Sequence, residues 1–273
     1  MHGVVRVLSS PIPGVYATCS ASARQFRRHW HDDFGVGVLR HGGQRWASRR
    51  GMVQAVRGAV INTVPGEVHD GSPLAGRPRH WDIVSFSPAV LDCMTGNDAG
   101  MIDIRHPVIH DARLVLALRR WLVLFERWVS GERSDVDVLA FESAMVECLA
   151  VYVSRYGTRR IPVDAVDVDI AAVRDRLADP ASPGPSLGEL ASSVGISRFQ
   201  LLRRFTHLYG MPPRAWLLNR RVERARQLIA DGERLSVAAL RAGFADQSHM
   251  TRTFTRMYGF TPGEWQRVHR RRS

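Results

Sequence analysis

The last third of this 273-residue chain contains one sequence pattern twice. Leu187, Ala191 and Gly195 recur 48 positions further along the chain, and a second series recurs at a spacing of 49. That series is Ser197, Leu201, Arg203, Phe205, Tyr209, Gly210, Pro213 and Trp216, which matches Asp246, Met250, Arg252, Phe254, Tyr258, Gly259, Pro262 and Trp265. Because both copies must form the same supersecondary unit, this duplication constrains the fold more than any local propensity does.

Each copy predicts a helix-turn-helix unit. A small residue, Ala191 or Ala239, lets two helices cross closely, and the glycine four positions later provides the positive φ of a tight turn. Ser197 or Asp246 then caps a longer helix. This helix ends at a Tyr-Gly pair whose glycine supplies the left-handed cap.

The charge of the chain is concentrated in the same region. All 38 basic residues are arginine, against 26 acidic residues, for a net charge of +12. Residues 170–273 hold 18 arginines and 8 acidic residues (+10), whereas residues 1–169 hold 20 and 18 (+2). This asymmetry indicates a polyanionic partner for the C-terminal third, with DNA, RNA and anionic membrane as the candidates. A membrane surface is disfavoured because the apolar stripes are used by the core of the repeat.

Apolar side chains at helical spacing define the buried faces of the repeat. The inward-facing set is predicted to be Leu201, Phe205 and Leu208 in the first copy and Met250, Phe254 and Met257 in the second. A connecting helix over residues 214–229 is predicted to bury Trp216, Leu217, Val222, Ala225 and Leu228. At ~1.5 Å per residue this helix spans roughly 24 Å. Once the thickness of each unit is added, it could hold two reading helices about one DNA turn, ~34 Å, apart.

The second copy resembles the C-terminal signature of the AraC/XylS family of bacterial transcription regulators. Residues 242–254 read AGFADQSHMTRTF and residues 258–265 read YGFTPGEW, and the match covers about residues 186–268. The resemblance implies a transcription factor that binds double-stranded DNA at specific sequences, and it makes RNA polymerase a candidate partner. Whether the regulator activates or represses stays open.

By the same resemblance, specific side chains are expected to contact DNA. The expected base-reading positions are Phe199, Leu202 and Arg203 in the first unit and Gln247, Thr251 and Arg252 in the second, and Arg198 and Ser248 complete the expected DNA-binding set. Arg203 is the main candidate for direct readout in the first unit, because its guanidinium can donate two hydrogen bonds to guanine O6 and N7. Arg204, Arg220, Arg256 and residues 270–272 are expected to bind phosphates or to be solvated, as is Arg198.

Short β-type segments predict a different architecture for the N-terminal part. Residues 35–39, 44–47, 52–56, 59–63 and 80–86 alternate with Gly, Pro and Asn, which favours a small antiparallel barrel or sandwich. Two amphipathic helices follow, over residues 112–129 and 135–156, and either complete a core or form a dimer interface.

The sequence His29-Trp30-His31 and residues 64–70, which include His69, resemble the cupin-like sensor domain of the same family. Metal-binding cupins add a glutamate to such histidines, and this chain has Asp32, Asp33 and a glycine-rich strand where that residue is expected. Three interpretations stay open: a metal-free small-molecule pocket, a Zn²⁺ site with an open position, or a scaffold without a ligand. We expect no cofactor and an effector pocket at His29, His31, His69 and Trp81.

We therefore predict an α+β multidomain chain with a cupin-like β-barrel and an all-α DNA-binding domain. The predicted limits are 1–110 for the sensor barrel, 111–157 for connecting and dimerisation helices, 158–168 for a linker and 169–273 for the double helix-turn-helix. The expected state is a cytoplasmic, effector-responsive homodimer. The expected absence of membrane contact rests on the longest apolar run, residues 121–125, which is far below the ~20 residues of a membrane span. The alternative is a metal-dependent cupin enzyme fused to a DNA-binding domain.

The three cysteines do not form a metal-binding or disulfide pattern. Cys19, Cys93 and Cys148 are widely spaced, and none of them belongs to a CxxC motif. This arrangement is typical of reduced thiols and argues against a structural zinc site built from cysteines.

Overall fold

A computed structural model of the chain describes residues 3–48, 51–95, 102–131, 135–159, 167–179 and 184–270. The described residues form two compact units. The first contains the residues up to 159 together with the end of the last helix from 267, and the second contains residues 167–266. None of the described helices is long and apolar enough to cross a membrane.

The first unit is built on β-strands. In chain order these are β1 Val4–Ser9, β2 Val15–Ser22, β3 Phe26–His29, β4 Phe34–His41, β5 Gly43–Ser48, β6 Gly51–Val56, β7 Val60–Thr63, β8 His69–Pro73, β9 Arg79–Phe86, β10 Ile102–Ile104, β11 Val108–Ile109 and β12 Gly157–Arg159. One sheet has the order β1-β2-β9-β4-β7-β11, a second has the order β3-β8-β5-β6, and β10 pairs with β12. Every paired strand is antiparallel, as the segment pattern predicted.

The six-stranded sheet packs on both faces. Side chains that alternate along β4 and β9, including Val36 and Val84, are fully buried against helices. The opposite face contributes Leu39 and Trp81, which form a second apolar cluster with Trp46 of the four-stranded sheet. The two sheets therefore enclose an interior, as expected for a barrel or sandwich.

In the described part of the chain, the helices that accompany these sheets are α1 Pro88–Thr95, α2 Ala112–Ser130 and α3 Asp135–Tyr156. Asp111 caps α2 by accepting hydrogen bonds from the backbone N–H groups of Arg113 and Leu114 at 2.8 and 3.4 Å. The predicted apolar face of α2 is confirmed, since Leu118 and Trp121 are fully buried in the core shared with the sheet and α3.

The second unit is entirely helical among its described residues. It contains α4 Val168–Ala178, α5 Leu187–Ser193, α6 Arg198–Tyr209, α7 Pro213–Ala230, α8 Leu235–Arg241, α9 Gln247–Tyr258 and α10 Pro262–Arg270. The duplicated helix-turn-helix is confirmed: α5 and α6 form one copy, α8 and α9 form the other, and α7 connects them. The N-terminal barrel and the C-terminal helical unit together confirm the α+β fold class.

The turns and caps of the repeat have the predicted geometry. Gly195 and Gly243, in the two turns, have φ values of +66° and +86°, which an L-residue adopts only with strain. Ser197 caps α6 in a reciprocal arrangement with Gln200, and Asp246 accepts a 2.7 Å hydrogen bond from the backbone N–H of His249 at the start of α9.

Four residues predicted on the buried faces of these helices are corrected by the structure. Leu208 is 41% exposed at the end of α6, and Met257, its counterpart in α9, is half-buried. Leu217 and Leu228 of α7 are half-buried, because the fully buried stripe of this helix passes through Val222, Ala225 and Ile229 instead. The predicted linker 158–168 and the arginines at 270–272 lie mostly outside the described residues.

Candidate DNA interface and ligand site

The first reading helix, α6, exposes all four of its predicted DNA-contacting residues. Arg198, Phe199, Leu202 and Arg203 are exposed, and Phe199 is 73% exposed despite its aromatic ring. Leu201 and Phe205 are fully buried on the opposite side, so the apolar face of the helix anchors it to the unit. The exposed Phe199 and Leu202 are therefore not part of this core.

The second reading helix, α9, is anchored in the same way. Met250 and Phe254 are fully buried, and the predicted contact residues lie on the other side. Gln247, Ser248 and Arg252 are exposed, whereas Thr251 is half-buried. The corresponding faces of α6 and α9 thus each present an arginine, Arg203 or Arg252, at the same position of the repeat.

Arg204 is held by a carboxylate. Its Nε and Nη2 donate hydrogen bonds to the two carboxylate oxygens of Asp167 at 2.8 and 2.6 Å. Asp167 also caps α4 by accepting from the backbone N–H of Ile170 at 3.4 Å. A bidentate ion pair of this kind fixes the guanidinium, so a DNA phosphate would have to compete with Asp167 for the Arg204 side chain. The solvated state expected for Arg204 is corrected accordingly, and phosphate binding by Arg204 stays a prediction.

A buried polar cluster joins the connecting helix to the second copy of the repeat. Glu223 and Arg226 of α7 are 1% and 6% exposed, and Arg226 Nε donates to Glu223 Oε2 at 3.1 Å. The other oxygen of Glu223 accepts from the hydroxyl of Tyr258. Trp265 Nε1 donates to the backbone carbonyl of Arg226 at 2.9 Å, and the guanidinium of Arg226 lies 5.4 Å from the Trp265 ring centroid.

The sequence alone does not predict this cluster. Tyr258 and Trp265 belong to the repeat, but nothing marked Glu223 and Arg226 as buried partners. The available signal was their placement on the same face of α7 as Val222 and Ala225, where a charged pair interrupts an apolar stripe.

In the first unit, strand pairing brings the three predicted histidines together. His29 of β3 lies directly opposite His69 of β8, and His31 follows two positions after His29. The ring centroids are 4.5 Å apart for His29 and His69, 4.8 Å for His29 and His31, and 5.3 Å for His31 and His69. One ring nitrogen from each histidine lies within 4.8 Å of those of the other two.

Two of these imidazoles have a defined tautomer. Nδ1 of His29 lies 2.6 Å from the carbonyl oxygen of Arg27, and Nδ1 of His69 lies 2.9 Å from that of Glu67. A carbonyl oxygen only accepts, so both Nδ1 atoms must carry the proton. Burial, together with the neighbouring His69 and His31, lowers the pKa of His29 well below its usual value, and burial lowers the pKa of His69. Both rings are therefore neutral, with an Nε2 lone pair to offer.

Trp81 lies in the same barrel, and Phe26 links it to the histidines. The Phe26 ring centroid is 6.3 Å from that of His29 and 6.2 Å from that of Trp81. On the other side of Trp81, Cζ of Arg79 lies 4.6 Å from the ring centroid. Among the predicted pocket residues, the three histidines therefore contact one another, and Trp81 is connected to them through the ring of Phe26.

Arg79 is a buried cation that sequence reasoning missed. Its side chain is fully buried, and it donates to Gln44 Oε1 at 2.8 Å and to the Arg24 carbonyl at 3.0 Å. Desolvation lowers its pKa to about 10. Among the described residues, no acidic side chain forms an ion pair with it, so it is balanced only by neutral acceptors and aromatic rings.

The interior of the barrel is lined by small and half-buried residues. Gly35 and Gly37 of β4 pair with Thr63 and Ile61 of β7, on the face that also carries Trp81. A Cβ at Gly35 would lie 2.6 Å from Thr63 Oγ1, so any larger residue there would force the Thr63 side chain to shift. Thr63 and Ile83 are half-buried although they lie on inner strands, which is consistent with space inside the barrel.

Comparisons with known proteins agree with both units. Residues 190–268 match the model of a helix-turn-helix domain, and residues 16–127 match the model of the AraC-like ligand binding domain. A HTH-type transcriptional regulator of Bacillus subtilis, YbfI, is 24% identical over 83% of this chain and 82% of its own. The virulence regulon transcriptional activator VirF of Yersinia enterocolitica is 35% identical over 82 residues, 30% of each chain.

Among solved structures, apo ToxT from Vibrio cholerae shares the fold with a TM-score of 0.50 and 12% identity, over 98% of both chains. A ligand-binding β-barrel combined with a duplicated helix-turn-helix defines a DNA-binding transcriptional regulator. This chain belongs to the AraC family of such regulators.

Proposed function

We propose that this regulator reads two segments of its operator with α6 and α9. The observation that carries the proposal is the repeated arrangement of the two helices, each anchored by fully buried apolar residues and exposing an arginine at the same repeat position. In this proposal Arg203, Gln247, Thr251 and Arg252 contact base edges, and Phe199 and Leu202 contact thymine methyl groups. Arg198 and Ser248 contact the backbone, and action at promoters adds RNA polymerase as a partner.

The first prediction concerns base readout by Arg203. After selection of bound fragments from random DNA, Arg203→Ala should relax the preference at one base position and weaken binding by about 1–3 kcal/mol. The matched control is Arg256→Ala, an exposed arginine of α9 that is expected to contact phosphate. This control should weaken binding to all DNA sequences equally. It should also reduce the slope of the logarithm of the binding constant against the logarithm of the salt concentration by about one. If Arg203→Ala behaves like this control, Arg203 does not read a base.

We further propose that the barrel interior holds a small effector. His29, His31, His69 and Trp81 are its predicted contacts, and Arg79 extends this set because it lies against Trp81. A buried guanidinium without an acidic partner among the described residues favours an anionic effector, such as a small carboxylate. The protein would then act as a regulator rather than as an enzyme, in the cytoplasm with its DNA.

Dimerisation is proposed to use the outer faces of α2 and α3. Each helix exposes two large aliphatic residues seven positions apart: Leu116 and Val123 on α2, at 52% and 59%, and Leu139 and Val146 on α3, at 65% and 48%. A spacing of seven places such residues on one side of a helix, and exposed aliphatic residues on one face are typical of an association surface. The proposed domain limits remain 1–110, 111–157, 158–168 and 169–273.

The second prediction tests this interface. In analytical ultracentrifugation of the full chain, Val123→Asp should raise the dimer dissociation constant at least about tenfold, ~1.4 kcal/mol, since a symmetric interface contains the change twice. Met52→Asp is the control, because Met52 is 66% exposed on β6 of the same unit. Equal dissociation constants for the two variants would contradict the proposed face.

A further inference from the structure

We propose that His29, His31 and His69 bind one Zn²⁺ ion. One ring nitrogen from each of these side chains lies within 4.8 Å of those of the other two. Antiparallel pairing of β3 with β8 sets His29 opposite His69, and the backbone N–H of Gly66, in the loop that leads to β8, donates to the carbonyl of His31 at 2.9 Å. The backbone therefore fixes the positions of all three residues before any ion is present.

The backbone also orients the donor atoms. Nδ1–H of His29 and of His69 each donate to a carbonyl oxygen, at Arg27 and Glu67 respectively. Metal-ligating histidines generally use one ring nitrogen in this way, which orients the ring and makes the other nitrogen a better ligand. His29 is only 7% exposed, so its Nε2 lone pair lies in a protected site.

The donor set fits zinc. Three imidazoles without a carboxylate suit Zn²⁺, which accepts four ligands in tetrahedral geometry with nitrogen at ~2.0–2.1 Å. Tetrahedral bonds of that length need donor atoms about 3.4 Å apart. Ring rotations would have to bring the ring nitrogens from their separations of up to 4.8 Å to that distance. The nearby Asp33 does not belong to the cluster, and its carboxylate accepts a 3.3 Å hydrogen bond from the Tyr16 hydroxyl.

Three protein ligands leave one position of the zinc ion open. That position is available to water or to an oxygen of the effector. Coordination of an effector oxygen rests on the proposed effector site, whereas the binding of zinc itself does not.

The experiment measures zinc binding by the full chain. Protein stripped with a chelator is dialysed against Zn²⁺, and bound metal is quantified by elemental analysis. We expect one Zn²⁺ per chain. Titration with Co²⁺ in place of Zn²⁺ should produce the intense visible absorption of a tetrahedral site, which reports coordination independently of DNA binding.

Two ligand variants test the assignment. His31→Gln and His69→Gln remove half-buried imidazoles, and each should weaken Zn²⁺ binding by more than the ~10–100-fold that changes outside the coordination shell cause. His80→Gln is the control, because His80 is exposed on β9 of the same unit, with its ring centroid 5.6 Å from that of His41. This control should bind zinc with unchanged affinity.

Folding of each variant is checked without metal by circular dichroism and by operator binding. Absence of stoichiometric zinc in the unaltered protein would overturn the proposal, and so would equal zinc affinity in folded ligand variants and the control. In either case operator binding by the unaltered protein would show that the proposed regulatory function still holds.

Discussion

Glu223→Ala is expected to destabilise the C-terminal unit by about 3–5 kcal/mol, because the substitution leaves the buried guanidinium of Arg226 without its carboxylate. The side chains of Glu223 and Arg226 are 0% and 7% exposed, so water cannot replace the lost partner. Tyr258 also loses the acceptor of its hydroxyl. Peptide-resolved hydrogen exchange in α7 and α9 measures this loss within the intact chain.

Two further variants separate the charge effect from a general loss of packing. Asp175→Ala removes a carboxylate from an exposed pair with Arg174, where the side chains are 64% and 40% exposed, and should change stability by less than about 1 kcal/mol. The double variant Glu223→Leu/Arg226→Met removes both charges and should recover much of the stability lost in Glu223→Ala. If Glu223→Ala exchanges no faster than Asp175→Ala, the buried pair does not stabilise the unit.

Gly243→Val should prevent the turn between α8 and α9 from forming normally. A valine at the observed φ of +86° costs about 1–3 kcal/mol of backbone strain. Its Cβ would also lie 2.9 Å from Nε of Arg221, so this half-buried side chain must shift, which adds a smaller cost to the backbone strain. We expect faster hydrogen exchange in α8 and α9, and loss of the operator contacts assigned to α9.

The first copy of the repeat provides the matched control. Gly195 has a φ of +66°, but nothing lies within 4 Å of a Cβ built there, so Gly195→Val should cost the backbone strain alone. Replacing Arg221 by alanine should reduce the penalty of Gly243→Val and leave that of Gly195→Val unchanged. Equal costs at the two glycines would show that the contact with Arg221 adds nothing, and no cost at either would contradict the assigned turns.

The repeat could be predicted in detail because its signals are local. Positive-φ glycines, a capping Ser197 or Asp246 and an apolar residue every three or four positions act within a few residues of one another. These signals located α5 to α9 and the exposed residues of both reading helices. They failed at Leu208, where helical spacing predicts burial but the side chain is 41% exposed at the end of α6.

Contacts between distant residues could not be predicted in this way. No sequence signal distinguishes Arg204 from the exposed arginines of α6, but in the structure its side chain pairs with Asp167, 37 residues earlier. Strands β1 and β2 lie before the first segment that showed a clear strand pattern, and Arg79 is an arginine inside a barrel. Each case depends on which chain segments meet, and a pattern along one segment does not contain that information.

The sequence by itself determined the duplicated helix-turn-helix, the position of the excess positive charge and the α+β division of this AraC-family chain. Periodicity, glycine conformation and capping are properties of short segments, and charge is a sum over residues. Only the tertiary structure decided that His29 faces His69, that Arg79 lies buried against Trp81 and that Glu223 and Arg226 join α7 to the second copy. Strand register and helix packing bring these groups together, and both are set by the burial of residues far apart in the chain.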